Sequence, residues 1–299
     1  MAAEPLIEWP KPFLELASFI AAFLSAGAVG FWFTVLRRMP GRRAGADERS
    51  LFERISVRAA ALGLAGTMIS VMLIASRLPG NAARQHVTVP ALIGNTPMLA
   101  IQIALMILAL LGFTFAVVRR TAGWPVAFIA VIALPLRGIA FGQWSRIVKP
   151  VHELAGGLWI GTLFVLVLVG LGTLLNSRLA SERRGAIAAA MVNAFSPLAL
   201  VASGLLAIFG VITAWRSLKY LAALWTTPYG ITLIIKLMAV AAVVALGAWN
   251  WRRQKPKLGS EAGAHALRRS ASIELAVAAV VLMITAVLAS LPSPELPGG

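Results

Sequence analysis

The stretch LAGGLWIGTLFVLVLVGLGTLL, residues 154–175, contains 22 consecutive residues without a charged side chain. A helix of about 20 residues, rising 1.5 Å per residue, is long enough to cross the roughly 30 Å hydrocarbon core of a bilayer. Lipid offers the backbone no hydrogen-bonding partner, so a single run of this length can cross the bilayer only as an α-helix. We therefore predict that residues Leu154–Leu175 form a transmembrane helix.

Seven further apolar runs surround this stretch, and together they predict an all-α integral membrane protein with eight transmembrane helices. The composition agrees, because 59% of the 299 residues are hydrophobic and 13% are charged, whereas an average soluble domain has about 25% charged residues. The shortest run contains a proline at position 135. The predicted spans are Phe13–Leu36, Ile55–Ser76, Met98–Val118, Trp124–Ala140, Leu154–Leu175, Ala194–Trp215, Tyr229–Trp249 and Ile273–Leu291.

Lysine and arginine residues are concentrated in alternate loops, which predicts the orientation in the bilayer. The first, third, fifth and seventh loops hold 17 of these residues, and all other non-membrane positions hold 8. Cytoplasmic loops carry such an excess, so we predict that both termini lie outside, in the periplasm of a bacterium. Glu4 and Glu8 precede the first span without a basic segment, which argues against a cleaved signal peptide. The basic clusters are therefore a topology signal, and we expect no nucleic-acid partner.

A weak internal repeat divides the chain into two halves. The pattern P-x-x-E-L-A begins at Pro12 and again at Pro150, and Gly66 and Gly204 share the same offset of 138 residues. Four helices per unit would make the halves a 4+4 parallel repeat about an axis normal to the membrane. We predict membrane halves at 1–141 and 151–292, followed by a short tail at 293–299. Chance recurrence of short apolar motifs is the alternative.

Several classes of chemistry have no residues to support them. The chain has no cysteine, which excludes disulfides, thiolate metal sites and cysteine nucleophiles. Nothing resembles a phosphate-binding loop, a G-x-S-x-G turn or a zinc-protease motif. We therefore expect that the protein is not an enzyme.

Ionisable residues within the spans are functional candidates, because they are costly to place in lipid. His152 and Glu153 stand at the outer end of the fifth span, and Trp159 follows two turns later on the face of His152. A neutral imidazole there could bind a metal or carry protons, and the alternative is a histidine that hydrogen-bonds a loop. Lys236 lies seven residues into the seventh span. Glu153 or Glu15 could pair with it, because they are expected at a similar depth in the membrane. For Glu274, the expected partners are Arg58, Arg252 or Arg253.

Methionine thioethers are soft ligands that suit Cu(I), with imidazole as a co-ligand. Met72 lies in the second span, Met98 opens the third on the outer side, and His86 lies in the outer loop between them. His86, Met98 and His152 are all expected to face the same compartment. The alternative is that these methionines serve only to pack apolar helices.

Short motifs in the second half follow one another in a fixed order between about Val151 and Pro292. They are HELAGGLWIG at 152–161, Phe195-Ser196, Thr227-Pro228-Tyr229-Gly230 with Lys236, Gly247-Ala248-Trp249-Asn250, Pro256, and Arg268-Arg269-Ser270 with Glu274. In this order and spacing the segment resembles the copper resistance D (CopD-type) family. The resemblance implies a copper-handling protein of the inner membrane with a periplasmic copper-binding partner of the CopC type. It also implies functional roles for His152, Trp159, Lys236, Asn250 and Glu274.

The sequence therefore favours a copper permease or copper-resistance protein of a bacterial inner membrane, with copper as its cargo and an access point near His152. A non-transporting membrane module that assembles or anchors a larger complex is the alternative. A redox carrier is a third class, which a bound chromophore would reveal. No pattern in the sequence specifies an oligomeric state.

Overall fold

A computed structural model describes residues 9–39, 45–119, 121–143, 146–254 and 258–294. Within these ranges eight helices are long and apolar enough to cross a membrane, which confirms the predicted helical, multi-pass class. Glu4, Glu8, Pro256 and residues 295–299 of the predicted tail lie outside the described ranges. The long helices are α1 Lys11–Arg38, α2 Ala46–Arg84, α3 Pro97–Val117, α4 Gly123–Phe141, α5 Val148–Leu175, α6 Ser181–Leu218, α7 Pro228–Arg253 and α8 Glu261–Ser290.

Three of these helices are much longer than the predicted spans. α2 has 39 residues, α6 has 38 and α8 has 30, so α2 extends to about 58 Å at 1.5 Å per residue and must project beyond the bilayer. Side chains define where the helices begin. Ser260 caps α8 by accepting a hydrogen bond from the Gly263 amide, and Thr227 caps α7 in the same way through Gly230, as short hydroxyl side chains commonly do.

The two helices that open the predicted halves lie at the centre of the bundle. In α1, 61% of the most apolar stretch is buried within the protein, and in α5 the fraction is 72%. The corresponding fractions are 17% for α6 and 11% for α7, so these two helices face mainly lipid. One continuous hydrophobic core joins residues of both halves, from Ala26 of α1 to Ala271 of α8.

Glycines bring the backbones of α1 and α5 into direct contact. A Cβ atom placed on Gly27 would lie 2.3 Å from the carbonyl carbon of Gly161, and one on Gly161 would lie 2.3 Å from the carbonyl oxygen of Phe23. Thr162 donates a hydrogen bond to the Gly27 carbonyl across the same contact. Small residues permit such close approach between membrane helices, where dispersion contacts replace the hydrophobic effect as the driving force. No residue larger than glycine therefore fits at position 161 without separating α1 from α5.

Ion pairs join several helix ends at one side of the bundle. Arg183 of α6 pairs with Glu48 of α2 at 2.7 Å, and Arg184 pairs with Glu261 of α8 at 2.7 Å. Arg119, which follows α3, pairs with Glu53 at 3.0 Å. Residues adjoining the first, third, fifth and seventh loops thus meet at the same side, which is the arrangement that alternating membrane crossings require. The assignment of that side to the cytoplasm remains a prediction.

The predicted orientation can be tested with single cysteines, because the natural chain has none. Ser181 and Asn81 are exposed positions at opposite ends of the bundle. We expect an impermeant thiol reagent to label Ser181→Cys only from the cytoplasm and Asn81→Cys only from outside. Labelling of both variants in intact cells and in inverted vesicles gives the measurement. The reverse pattern would contradict the orientation, and labelling of both from one side would contradict the number of spans between them.

The two glycines used to infer a repeat have different surroundings. A Cβ on Gly66 would lie 2.5 Å from the carbonyl oxygen of Ala21, whereas Gly204 has no neighbouring atom within 4 Å. Gly66 therefore packs against α1, and Gly204 lies on the open surface of α6. This pair gives no support for duplication, and the 4+4 repeat and the division into halves stay predictions.

Candidate functional site

The imidazole of His152 lies in the first turns of α5, half-buried against α6. Its Nδ1 atom is 3.0 Å from the carbonyl oxygen of Leu206. A carbonyl oxygen can only accept a hydrogen bond, so Nδ1 carries the ring proton. The lone pair that could bind a metal is therefore on Nε2. Metal-ligating histidines have this arrangement, in which a carbonyl orients the ring through one nitrogen and leaves the other free to bind.

Gly210 of α6 makes room for this ring. A Cβ atom at position 210 would lie 3.0 Å from Cε1 of His152 and 3.4 Å from Nδ1. Glycine inside a helix costs about 1 kcal/mol relative to alanine, and here it permits the contact with His152. Sequence reasoning missed Gly210 and Leu206. The sequence signal for this contact was Gly210, one helical turn after Leu206, but a glycine alone does not indicate which helix packs against it.

We expect Gly210→Val to displace the His152 ring and weaken any metal binding by roughly 10- to 100-fold, the usual cost of losing a residue that orients a ligand. Gly204→Val is the matched control, because this glycine lies on the same helix with open space around it. Copper titration of both purified variants gives the comparison. Equal weakening in the two variants would mean that the effect belongs to the helix and not to the contact with His152.

Several charged side chains lie at the same end of the bundle as His152. Glu153 pairs with Lys149 at 3.9 Å, and Glu15 of α1 pairs with Arg77 of α2 at 3.8 Å. Lys236 of α7 is half-buried and lies within electrostatic range of both His152 and Glu153. We call His152, Glu153, Glu15, Lys149 and Lys236 the outer site. The imidazole of this site can bind a metal, whereas its two carboxylates are each paired with a cationic side chain, which reduces their attraction for a cation.

The other predicted ligands lie on α2, after α2 and on α3. His86 is exposed in the segment after α2, with a positive φ of 54°. The side chain of Met72 is 68% exposed on the surface of α2, so it faces lipid. Met98 is half-buried in the first turn of α3, and Trp159 packs against the hydrophobic core. Among the described residues no group of three or more histidine, aspartate or glutamate side chains could hold a metal ion.

A second polar cluster lies between α7 and α8. Asn250 is buried and donates a hydrogen bond from Nδ2 to Oε2 of Glu274 at 2.8 Å. Ser270 donates to Oδ1 of Asn250 and so fixes the orientation of the amide. We call Asn250, Ser270 and Glu274 the inner cluster. Lys236 and Asn250 are 14 residues apart on α7, so the inner cluster lies about 21 Å from the depth of Lys236.

The arginine partners expected for Glu274 were wrong. Arg58 donates to the Thr173 hydroxyl at 2.9 Å, and Arg253 stacks on the Trp249 ring. Glu274 instead contacts Asn250, because Gly247 has no side chain to separate the two helices there: a Cβ at 247 would lie 3.3 Å from Oε1 of Glu274. An amide partner satisfies the carboxyl oxygen without bringing a second charge into the membrane.

Comparison with known proteins supports the resemblance drawn from the sequence. The model of the family described as copper resistance protein D, CopD, matches residues 189–288, which confirms the resemblance over that segment. The copper transport protein CutJ of Bacillus subtilis (strain 168) is 28% identical over 148 residues, covering 49% of this chain and 25% of that protein. This chain therefore matches only about a quarter of the length of that relative. No solved structure matches.

Only some of the candidate residues lie within the segment that matches the family model. Lys236, Asn250 and Glu274 fall inside residues 189–288, whereas His152 and Glu153 precede them. Together with the eight membrane helices, these similarities support a copper-related membrane protein.

Proposed function

We propose that this protein is a copper permease or copper-resistance component of a bacterial inner membrane, and that it takes copper from the periplasmic side at the outer site. The observation that carries the proposal is the half-buried His152, whose Nδ1 is held by the Leu206 carbonyl and whose Nε2 is left to bind a metal. The match of residues 189–288 to a copper-related family supports copper as the cargo.

The metal-binding groups of the outer site suit a copper ion that binds only briefly during transport. A tightly held structural metal usually has four protein ligands, as in zinc sites, and the described residues offer no comparable cluster. One imidazole with nearby carboxylates gives few bonds to break, so a bound ion could leave again. Imidazole and carboxylate favour Cu(II), whereas Cu(I) prefers thioethers, and the lipid-facing Met72 lies outside the site.

A periplasmic copper-binding protein of the CopC type would be a suitable donor for this site. His152 and Glu153 stand near the end of α5 that is predicted to face the periplasm, within reach of a docked partner. In this proposal the partner delivers copper to Nε2 of His152 and the membrane protein itself performs no enzymatic reaction.

A non-transporting module that assembles a larger complex is the second candidate. The specific observation in its favour is the lack, among the described residues, of a cluster of three ligands. Such a module would keep the α1–α5 packing but would have no use for a free imidazole nitrogen.

Metal analysis of the purified full-length protein separates these two functions. At equilibrium with a fixed concentration of free copper, the permease proposal predicts about one copper retained per chain, displaced by a competing chelator. Zinc and nickel in parallel incubations measure selectivity. Retention no higher than that of an unrelated membrane protein of equal size would overturn the proposal and favour the assembly module.

A further inference from the structure

An open, shallow surface region of about 860 Å³ lies along the outward face of α8, and the residues that line it all belong to this helix; we call it the groove. One end is basic and is lined by His265, Arg268 and Arg269, and the other end is apolar and is lined by Ile273, Val277 and Val280. The buried residues of α8, such as Leu267, Ala271 and Ala278, occupy the opposite face at helical spacing. The groove therefore faces the surroundings of the protein and not its core.

The guanidinium groups of the two arginines at the basic end have no partner within the described part of the chain. Neither guanidinium forms a hydrogen bond or an ion pair there, although that of Arg268 extends toward Gly172 of α5. The neighbouring carboxylate of Glu261 lies 3.7 Å from His265 but is already held by Arg184 at 2.7 Å. The basic end consequently carries a net positive charge that an anion can neutralise.

The depth of this basic end corresponds to the lipid headgroups. Ser270 bonds to Asn250, so this turn of α8 is level with the end of α7, where Trp249 is 54% and Trp251 is 51% exposed. Exposed tryptophans at helix ends mark the membrane–water interface. Val280 lies 11 residues beyond Arg269, about 16 Å deeper along the helix, so the apolar end of the groove lies among acyl chains.

We propose that this groove binds one anionic phospholipid. Arg268 and Arg269 hold the phosphate and the acyl chain lies along Ile273, Val277 and Val280. The positive charge selects an anionic over a zwitterionic headgroup, and the predicted cytoplasmic side is where membranes present such lipids to basic pockets. A second protein copy is a poor occupant, since it would bury two unpaired guanidinium groups against an apolar helix. This inference does not depend on the proposed copper function.

Lipid retention by the full-length protein tests the proposal. The protein is purified in detergent, exchanged with phosphatidylglycerol or phosphatidylcholine, and analysed for bound lipid by native mass spectrometry. We expect one phosphatidylglycerol to be retained in preference to phosphatidylcholine. Arg268→Gln with Arg269→Gln should weaken its binding by about 25-fold, on the basis of about fivefold for each arginine at the membrane surface.

Three controls make the result specific. Arg252→Gln with Arg253→Gln removes the same charge at the same end of the bundle but outside the groove, and should retain the lipid. Val277→Trp fills the apolar end, and should weaken binding although both arginines remain. Inorganic phosphate alone should not protect the protein from heat, because it lacks the acyl chain. Equal retention of the two lipids, or an equal loss in both double arginine variants, would overturn the proposal.

Discussion

His152→Ala should abolish copper binding while the protein still inserts and folds. The substitution removes Nε2, the ligand to which the geometry of the outer site points, and leaves a residue with high helix propensity. Loss of a direct ligand should reduce the copper affinity by at least about 100-fold, because loss of a residue that only orients a ligand can reduce it by roughly that factor. The chain has no thiol to compensate. The measurement is a copper titration of purified wild type and variant, with thermal unfolding as the check on folding.

The chain provides matched controls for this result in its two other histidines. His86 is exposed after α2 and His265 is exposed on α8 with Glu261 beside it. His86→Ala and His265→Ala should each leave the copper affinity within about twofold of wild type, since an exposed substitution away from a site usually has little effect. Unchanged binding in His152→Ala would reject this residue as a ligand, and a large loss in His86→Ala would move the site to the loop after α2.

Gly161→Leu should prevent the protein from folding stably. The first atom of any side chain at this position would lie 2.3 Å from the Phe23 carbonyl oxygen, which belongs to the backbone of α1 and cannot rotate away. Overpacking a core with flexible neighbours costs about 1–3 kcal/mol, and separating two packed helices should exceed that range. Thermal unfolding in detergent, read by size-exclusion chromatography, would show a much lower midpoint or only aggregate.

Gly204→Leu is the matched control for that substitution. It introduces the same side chain into the open face of α6, where no atom lies within 4 Å. Its unfolding midpoint should stay close to that of wild type. A stable Gly161→Leu protein would show that α1 and α5 do not pack through their glycines.

The number of membrane helices could be predicted because it depends on local composition alone. An uncharged run of about 20 residues has few alternatives in lipid, and even the proline-containing α4 was identified. The true lengths of α2 and α6 could not be predicted, since their ends continue as polar helix outside the hydrocarbon. Hydropathy measures the buried stretch, whereas helix ends depend on caps and on ion pairs such as Arg183–Glu48.

The direction in which each side chain points was harder to predict. Met72 lies on a helix whose apolar residues surround it on all sides, so the sequence does not indicate which face meets lipid. The Glu274–Asn250 contact was missed for a different reason. Charge arguments favour arginine partners, but the close approach at Gly247 brings an amide to the carboxyl group instead. His152 and Lys236 could be predicted as separate polar residues, whereas their proximity depends on how α5, α6 and α7 assemble.

Copper accumulation in proteoliposomes tests the central claim most directly. Purified wild type and His152→Ala are reconstituted at equal density, vesicles with the predicted periplasmic face outward are selected, and copper trapped inside is measured over time. The account predicts copper accumulation with wild type and background levels with His152→Ala. Background levels with both proteins, although each remains folded, would contradict a copper permease with its access site at His152.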